Sequence, residues 1–400
     1  MEKLLVSTLS GNEYPFERLE EFAENGESLE VKVAGISNAR VRKGDHLLKR
    51  YAEFLPFDRP DERLSMGEGN TPLLRANEIL ARFTGIEAFY IKNETMNPTW
   101  SFKDRGSLAC MFMSREMREE VTATISTGNM GHSISAYAAR AGMKAMVFVP
   151  GYTPEEKIKA MQIHGARVVK VEAPDYAQMK KEVLHMAGDL GLRIVSGNGP
   201  IRVEGYKLAA FELFEQFQGT VPDYIAVPTS ACGHIRGIFK GFTELKKAGY
   251  IHKLPRMIIV QAEQNSPIVT AIKQGKKEVV PFHNFTTVAE AITTGNPMGG
   301  DEIIEKAYRY GWLAESVSED EIIKAQRKLA ESGLFVEPAS ATSLFAVRKL
   351  IEKGKIQPNE KVVMMATGSG LKDFEVFSHH SFSLLEAPVS QLKDLIKREF

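Results

Sequence analysis

The chain has 400 residues, 43% of them apolar and 26% charged, and its 51 Lys+Arg balance its 51 Asp+Glu. That length suits two domains of ordinary size, and a formal charge of zero gives no electrostatic reason to expect nucleic acid or an anionic membrane as a partner. No apolar run approaches the roughly 18 residues of a membrane span, "MEKLLVSTLSGNEYPFE" is too polar and acidic for a secretory signal, and Cys110 and Cys232 alone imply no disulfide framework. A cytoplasmic protein is expected.

The first 50 residues lack any regular alternation of strand and helix patterns. From about residue 88 the alternation is sustained. "EAFYIKN" predicts a strand before a helix from about Phe102. "VTATIS" precedes the helical "GHSISAYAARAG", "KAMVFVP" precedes "TPEEKIKAMQIHGA", and "RVVKVE" precedes "DYAQMKKEVLHMAGDLG". "LRIVSGN" leads into "EGYKLAAFELFEQF", "YIAVPTS" into "IRGIFKGFTELKKAG", and "RMIIVQAE" into "SPIVTAIKQG". After the helical "EDEIIKAQRKLAESG" and "ASATSLFAVRKLIEKG" comes the strand-like "KVVMMATGSG"; the last 20 residues suggest a loop and a short amphipathic helix. The pattern predicts α/β architecture, with two open, twisted, mostly parallel sheets flanked by helices. Lys207 and Lys240 read as solvated helix faces, and Trp312 and "MKAMVF" as core. His379 and His380 carry no partner pattern and receive no role.

Ligands of such sheets bind at strand ends near helix N-termini. In "NPTWSFKDRG" (97–106), Asn-Pro-Thr forms a turn, Ser101 is the expected N-cap, and Lys103 falls in the first helical turn. The helix dipole disfavours an ammonium there but not a neutral or imine-bound amine, which points to Schiff-base chemistry. The plainer alternative is a surface lysine paired with Asp104. In "STGNMGHSIS", Ser126, Thr127 and Asn129 make a small polar turn suited to a carboxylate; an ordinary cap with glycine spacers explains it as well. In "PTSACGHIRG", Ser230, Ala231, Cys232, Gly233 and His234 open a helix whose backbone N–H groups can close on a phosphate. Cys232 reads as a buried inert thiol, because no base and orienting group accompany it. In "VVMMATGSGLKD", Thr367 puts a hydroxyl at a strand end, or simply ends the strand.

Taken together and in this order, the four segments resemble the fold-type II family of pyridoxal-phosphate enzymes. "NPTWSFKDRG", "STGN", "IRVEGYKLAAFE" and "ATGSGLKD" are most similar to the threonine synthases, and "GEGNTPLL" (67–74) and "VEPASATS" (336–343) extend the resemblance over about residues 64–373. It implies a lyase holding pyridoxal 5'-phosphate between two domains. Lys103 would carry the cofactor as an imine and move protons. Asn129 would meet its phenolic oxygen, the turn Ser230–His234 its phosphate, and Thr367 its pyridine nitrogen. A hydroxyl is too weak an acid partner to keep that nitrogen protonated, which would make the ring a mild electron sink. The implied reaction converts O-phospho-L-homoserine and water to L-threonine and phosphate, with Ser126, Thr127, Gly128, Met130 and Arg202 facing the substrate. The resemblance also implies a homodimer and a division of the chain. Residues 1–50 would be an extension, 51–90 with 205–385 a large cofactor-binding domain, 91–204 a smaller mobile domain, and 386–400 a C-terminal helix.

Three departures from the family pattern stand out. Trp100 replaces the usual glycine before Ser-Phe-Lys. Met130 and Gly131 replace the Thr-Ser that usually follows Asn129, so a hydroxyl donor is lost. Ser7, Ser10, Phe22 and Asn25 stand where many relatives carry the four cysteines of a zinc ribbon, so a metal-free remnant is expected. The altered turn keeps other readings open: β-replacement of the cysteine or cysteate synthase kind, a serine/threonine dehydratase, or a silent paralogue. Met130 rather than His after Asn129 argues against the dehydratase. Retention of Lys103, Asn129 and Thr367 together argues against silence.

Overall fold

Strand and helix alternate along the chain because apolar runs of β-branched residues are each followed by a segment of helical period. The computed structural model describes residues 2–399 except 20, 45, 59, 174, 175, 284, 285 and 373. The N-terminal strands β1 (Lys3–Ser7), β2 (Glu13–Pro15) and β3 (Leu29–Val33) precede α1 (Leu47–Arg50), β4 (Leu73–Arg75), α2 (Glu78–Thr84) and β5 (Phe89–Asn93). Then come α3 (Lys103–Glu116), β6 (Val121–Ile125), α4 (Asn129–Ala141), β7 (Lys144–Pro150), α5 (Glu155–Gln162), β8 (Arg167–Val171) and α6 (Tyr176–Asp189). The helix expected from residue 175 therefore starts, among described residues, at Tyr176. Next are α7 (Pro200–Tyr206), α8 (Leu208–Gln216), β9 (Tyr224–Pro228), α9 (Gly233–Lys247), β10 (Arg256–Ala262), α10 (Pro267–Lys273) and α11 (Gly300–Tyr310). The chain closes with β11 (Leu313–Val317), α12 (Glu319–Glu331), α13 (Pro338–Glu352), β12 (Val362–Ala366) and α14 (Leu392–Glu399).

The largest sheet has the order β11-β10-β9-β12-β5-β4, parallel throughout except for β4 against β5. A second, wholly parallel sheet has the order β6-β7-β8. Strands β9 and β12 read as unbroken apolar runs because both of their faces are covered. Ile225, Val227, Val363 and Met365 enter one core cluster, while Tyr224, Ala226, Val362 and Met364 enter the other. The last strand, β12, inserts between β5 and β9, so the loops leaving all three converge at one edge of the sheet. "LRIVSGN" forms no strand. It contributes one bridge, Ile194 to Ala123, before the turn at 196–199 feeds α7 against α3. A Cβ on Gly205 would collide with the Arg105 carbonyl, so that close approach needs glycine.

The N-terminal strands form a third, antiparallel sheet in the order β2-β1-β3. Leu29, Val31 and Val33 alternate onto its buried face. Ser7 and Ser10 both turn their hydroxyls onto the Glu27 carboxylate, and Asn25 Oδ1 accepts from the Glu27 N–H at 3.2 Å. The sheet lies over α7 and α9, and this overturns the reading of two lysines as solvated. Lys207 is wholly buried and donates to Glu204 and to the Phe54 carbonyl; Lys240 is buried and donates to Glu204 and to the Val31 carbonyl. Helical position alone put them outside; the N-terminal sheet covers Lys240 and the segment around Phe54 covers Lys207, and a buried cation is tolerated because it is paired. Trp312 is core, packed edge-on against Phe239.

Candidate active site

Residues 99–102 dock directly on the end of β12. The Phe102 N–H donates to the Thr367 carbonyl at 3.0 Å, the Ser369 N–H donates to the Trp100 carbonyl at 3.0 Å, and Ser101 bridges Gly368. Lys103 and Thr367, 264 positions apart, thereby share one site. Ser101 does not cap the helix. Phe102 occupies the N-cap position without a side-chain bond, and the Ser101 hydroxyl is buried without a partner. The helix start is held instead by Asp104, whose carboxylate accepts from the Thr99 N–H at 2.6 Å and from the Ser133 hydroxyl at 2.6 Å. Asp104 is therefore committed elsewhere and is no surface partner for Lys103. Arg105 donates to Glu94 and Glu212, each at 2.6 Å, and all three are buried. These contacts fix α3 against the end of β5 and against α8.

The Lys103 Nζ lies 4.5 Å from the centre of the Phe102 ring. Burial, with help from the Arg202 and Lys372 charges and against the pull of Glu337, lowers its amine to about 7. An amine so placed is partly neutral at physiological pH and competent both as nucleophile and as base. Behind it His234 stacks on Phe102 at 3.8 Å, with both ring nitrogens buried and without partners, and burial drops its pKa to about 3. His234 belongs to the turn Ser230–His234 opening α9. Cys232 adopts φ 73°, and a Cβ on Gly233 would collide with the Gly197 carbonyl. The first N–H groups of α9 have no intrahelical acceptor and gather at the strand ends. Burial pushes the Cys232 thiol well up, which leaves it inert.

Asn129 begins α4 and donates from Nδ2 to Glu337 at 2.7 Å; Thr367 donates to the other oxygen of Glu337 at 2.9 Å. Glu337 thus joins the Asn129 turn to the β12 end, a role that "VEPASATS" does not show from sequence alone. Its signal is a carboxylate immediately before the proline that starts α13. Ser126 accepts from the Gly128 and Gly131 N–H groups at 3.3 and 3.0 Å, and Thr127 and Gly128 are half-buried beside it. Met130 packs partly into the apolar core. Arg202, expected to face the substrate, lies close enough to Lys103 for its charge to depress that amine, and its Nε is buried without a partner. It is wholly buried and donates to Tyr206 at 3.1 Å, Ser107 at 3.3 Å and the Lys103 carbonyl at 3.4 Å, so it braces α3 from behind. Lys372, also unassigned by sequence, donates to the Thr99 carbonyl at 2.7 Å, and burial lowers it to about 8. Asp373 of the same motif lies outside the described residues. No group of three or more metal-ligating side chains occurs among the described residues.

A depressed lysine amine, an open helix start and unpartnered buried ring nitrogens fit a phosphorylated aldehyde cofactor. The family model for pyridoxal-phosphate dependent enzymes matches residues 64–368. A pyridoxal 5'-phosphate-dependent aspartate racemase superposes with TM-score 0.65 at 26% identity, over 78% of this chain and 94% of that one. Threonine deaminase isoform 2 of Solanum lycopersicum, at 22% identity and TM-score 0.64 over 78% of this chain and 88% of its own, shares the fold. Fold and site define a pyridoxal-phosphate-dependent enzyme of fold type II. Threonine synthases of Methanocaldococcus jannaschii (38% identical, covering 84% of each chain) and Bacillus sp. (37%, covering 88% of this chain and 97% of that one) are among its relatives. The chain belongs to the threonine synthase family.

Proposed function

We propose that this protein converts O-phospho-L-homoserine and water to L-threonine and phosphate. The observation that carries the reading is the placement of Lys103, half-buried where the ends of β12, α4 and α9 meet, a setting that lowers its amine to about 7. When bound, pyridoxal phosphate supplies the electron sink for carbanion chemistry next to the substrate nitrogen. Lys103 accepts and returns protons at successive substrate carbons, a task that suits an amine whose pKa matches the working pH. The N–H groups of Ser230–His234 would hold the cofactor phosphate, Asn129 its phenolic oxygen and Thr367 its ring nitrogen. Ser126, Thr127 and Gly128 take the substrate carboxylate, and Met130 lines the pocket. Arg202 acts indirectly, by bracing the helix that carries Lys103.

The smaller unit, 91–204, carries β6–β8, and we infer that it closes on substrate. β5 runs to Asn93 and pairs with β12 and β4, so residues 91–93 pack with the large sheet rather than with β6–β8. A cytoplasmic homodimer completes the reading. Exposed Phe382, Leu384 and Val389 on the C-terminal segment support a second copy as their cover.

Met130 favours a second reading, since a thioether offers no donor to a substrate phosphate: β-replacement on an unphosphorylated or differently activated amino acid. Incubation of the holoenzyme with O-phospho-L-homoserine decides between the two. Equal release of phosphate and threonine, abolished in Lys103→Ala, is expected. No release, together with a cofactor spectrum that shifts on adding serine or phosphoserine, would transfer the reading to β-replacement.

A further inference from the structure

The unit that carries β6–β8 meets the rest of the chain through α4 and α5, and α5 makes a contact that the site does not use. Met161 of α5 is buried against the turn that opens α4: a Cβ on Gly131 would come within 2.7 Å of its methyl group. Lys157 stands four residues earlier, so it leaves α5 on the same side. Its side chain is only 17% exposed, and its amine donates to the Glu290 carboxylate at 2.5 Å. That bond crosses from the smaller unit to the larger one. Glu290 opens a short 3-10 turn, Glu290–Ile292, that is held from both ends and from below. The wholly buried Asn265 donates to the Ile292 carbonyl at 3.2 Å, and the Val288 N–H donates to Glu319 at 2.7 Å. Thr294 is tied to the turn that opens α9: Ser230 Oγ donates to Thr294 Oγ1 at 2.8 Å and accepts from the Thr294 N–H at 3.2 Å. Segment 288–294 is therefore a strap running from α12 to the Ser230–His234 turn, and Glu290 projects from it with 60% of its side chain exposed.

Glu290 is thus an anion on a fixed base, and Lys157 is a cation carried by the unit inferred above to close. An ion pair across a cleft favours the state in which its members meet, because only that state gains their attraction. We propose that Lys157 and Glu290 form the latch of the closed site: the pair forms when α5 comes down on the strap and breaks when product leaves. Met161 moves with Lys157, so forming the latch also seats the turn Ser126–Gly131 assigned to the substrate carboxylate. Asn129 makes another bond between the two units, to Glu337 at 2.7 Å, but the functional reading commits Asn129 to the cofactor. Lys157 and Glu290 are assigned to neither ligand, so they act on closure alone. The strength of the pair suits that task. With Glu290 largely in water, it shifts the closing equilibrium by no more than a fewfold, and a much stronger pair would slow product release. The inference rests on the functional reading in one respect, that the smaller unit closes over a ligand.

The test uses holoenzyme and an unreactive phosphonate analogue of O-phospho-L-homoserine, whose release is followed by stopped-flow absorbance of the cofactor. Lys157→Met and Glu290→Gln are each expected to speed release about two- to fivefold, with the melting temperature little changed. In the wild type, release should quicken with added salt, and in either variant that dependence should flatten, because screening acts on the pair. Exchange of the two charges, Lys157→Glu with Glu290→Lys, should bring release back toward the wild-type rate. Single variants that release the analogue at the wild-type rate overturn the proposal, and so does a charge-exchanged protein in which the two losses merely add; in both cases the spectral response to the analogue leaves the functional reading standing. An analogue that does not change the wild-type cofactor spectrum would instead overturn the functional reading, and this inference with it.

Discussion

Lys103 shows how much one residue owes to its surroundings. With its amine lowered to about 7 by burial, capture of pyridoxal phosphate by the cofactor-free protein should accelerate about tenfold per pH unit below 7 and level off above it, as stopped-flow absorbance would show. The same shift fixes a stability trend. The folded-state pKa lies below the ordinary lysine value of 10.5, so the unfolded chain binds more protons between the two, and stability rises with pH across that window. Lys103→Met should therefore raise the cofactor-free melting temperature most below pH 7, with the gain fading toward pH 10.5. A gain independent of pH would contradict this origin. Trp100 is the opposite case, since its backbone is strained while its side chain stays half exposed. It adopts φ 62°, which costs a non-glycine residue roughly 1–2 kcal/mol. Glycine relieves that but adds about 0.5–1 kcal/mol of unfolded-state entropy. Trp100→Gly should thus stabilise by about 0–1.5 kcal/mol in urea titration. The sequence showed that Trp100 was an unusual residue at its position; the positive φ that makes a glycine at home there appeared only in the structure.

Elements are held by caps and by buried charge, and the two differ in what their loss does. Ser318 and Glu321 form a reciprocal capping box at the start of α12, far from the site. Ser318→Ala should cost about 1 kcal/mol and leave turnover unchanged. Arg105→Ala leaves Glu94 in the core without its cation and Glu212 with Lys92 alone, and breaking such a buried pair costs roughly 3–5 kcal/mol, so its melting transition should fall steeply or the chain should not accumulate folded. A loss near 1 kcal/mol would mean that water reaches the two carboxylates. Legibility followed the same division. Strands such as β9 and β12 were plain in the sequence because they are buried on both faces and uniformly apolar. β11 was not foreseen, because its middle holds Glu315, a buried carboxylate paired with Lys273 and Lys353 on helix surfaces that only folding brings near. β4, three residues at a sheet edge, is too short to show a period.

On the scale of the molecule, the N-terminal sheet is an integral layer. Arg236 donates to the Leu29 carbonyl at 2.9 Å, and Lys240 donates to that of Val31. Removing residues 1–34 would leave these cations short of acceptors, and such a chain should melt well below the full-length protein or aggregate. Dialysis against a strong chelator should leave the melting temperature unchanged, because Glu27 binds the Ser7 and Ser10 hydroxyls at the place of a cysteine pair; a fall would reveal a metal these residues hold.

The sequence by itself determined the alternating architecture, through apolar period and turn chemistry, and the cofactor class, through the resemblance of four motifs to a known family; Lys103 stood out as a cation placed where a helix dipole opposes it. Only the tertiary structure decided that Lys207 and Lys240 are interior, that Arg202 braces a helix, and that Glu337 stands behind Thr367. Those outcomes depend on which groups, distant along the chain, are brought within hydrogen-bonding distance, and on a layer of protein that removes water from charges whose local pattern reads as exposed.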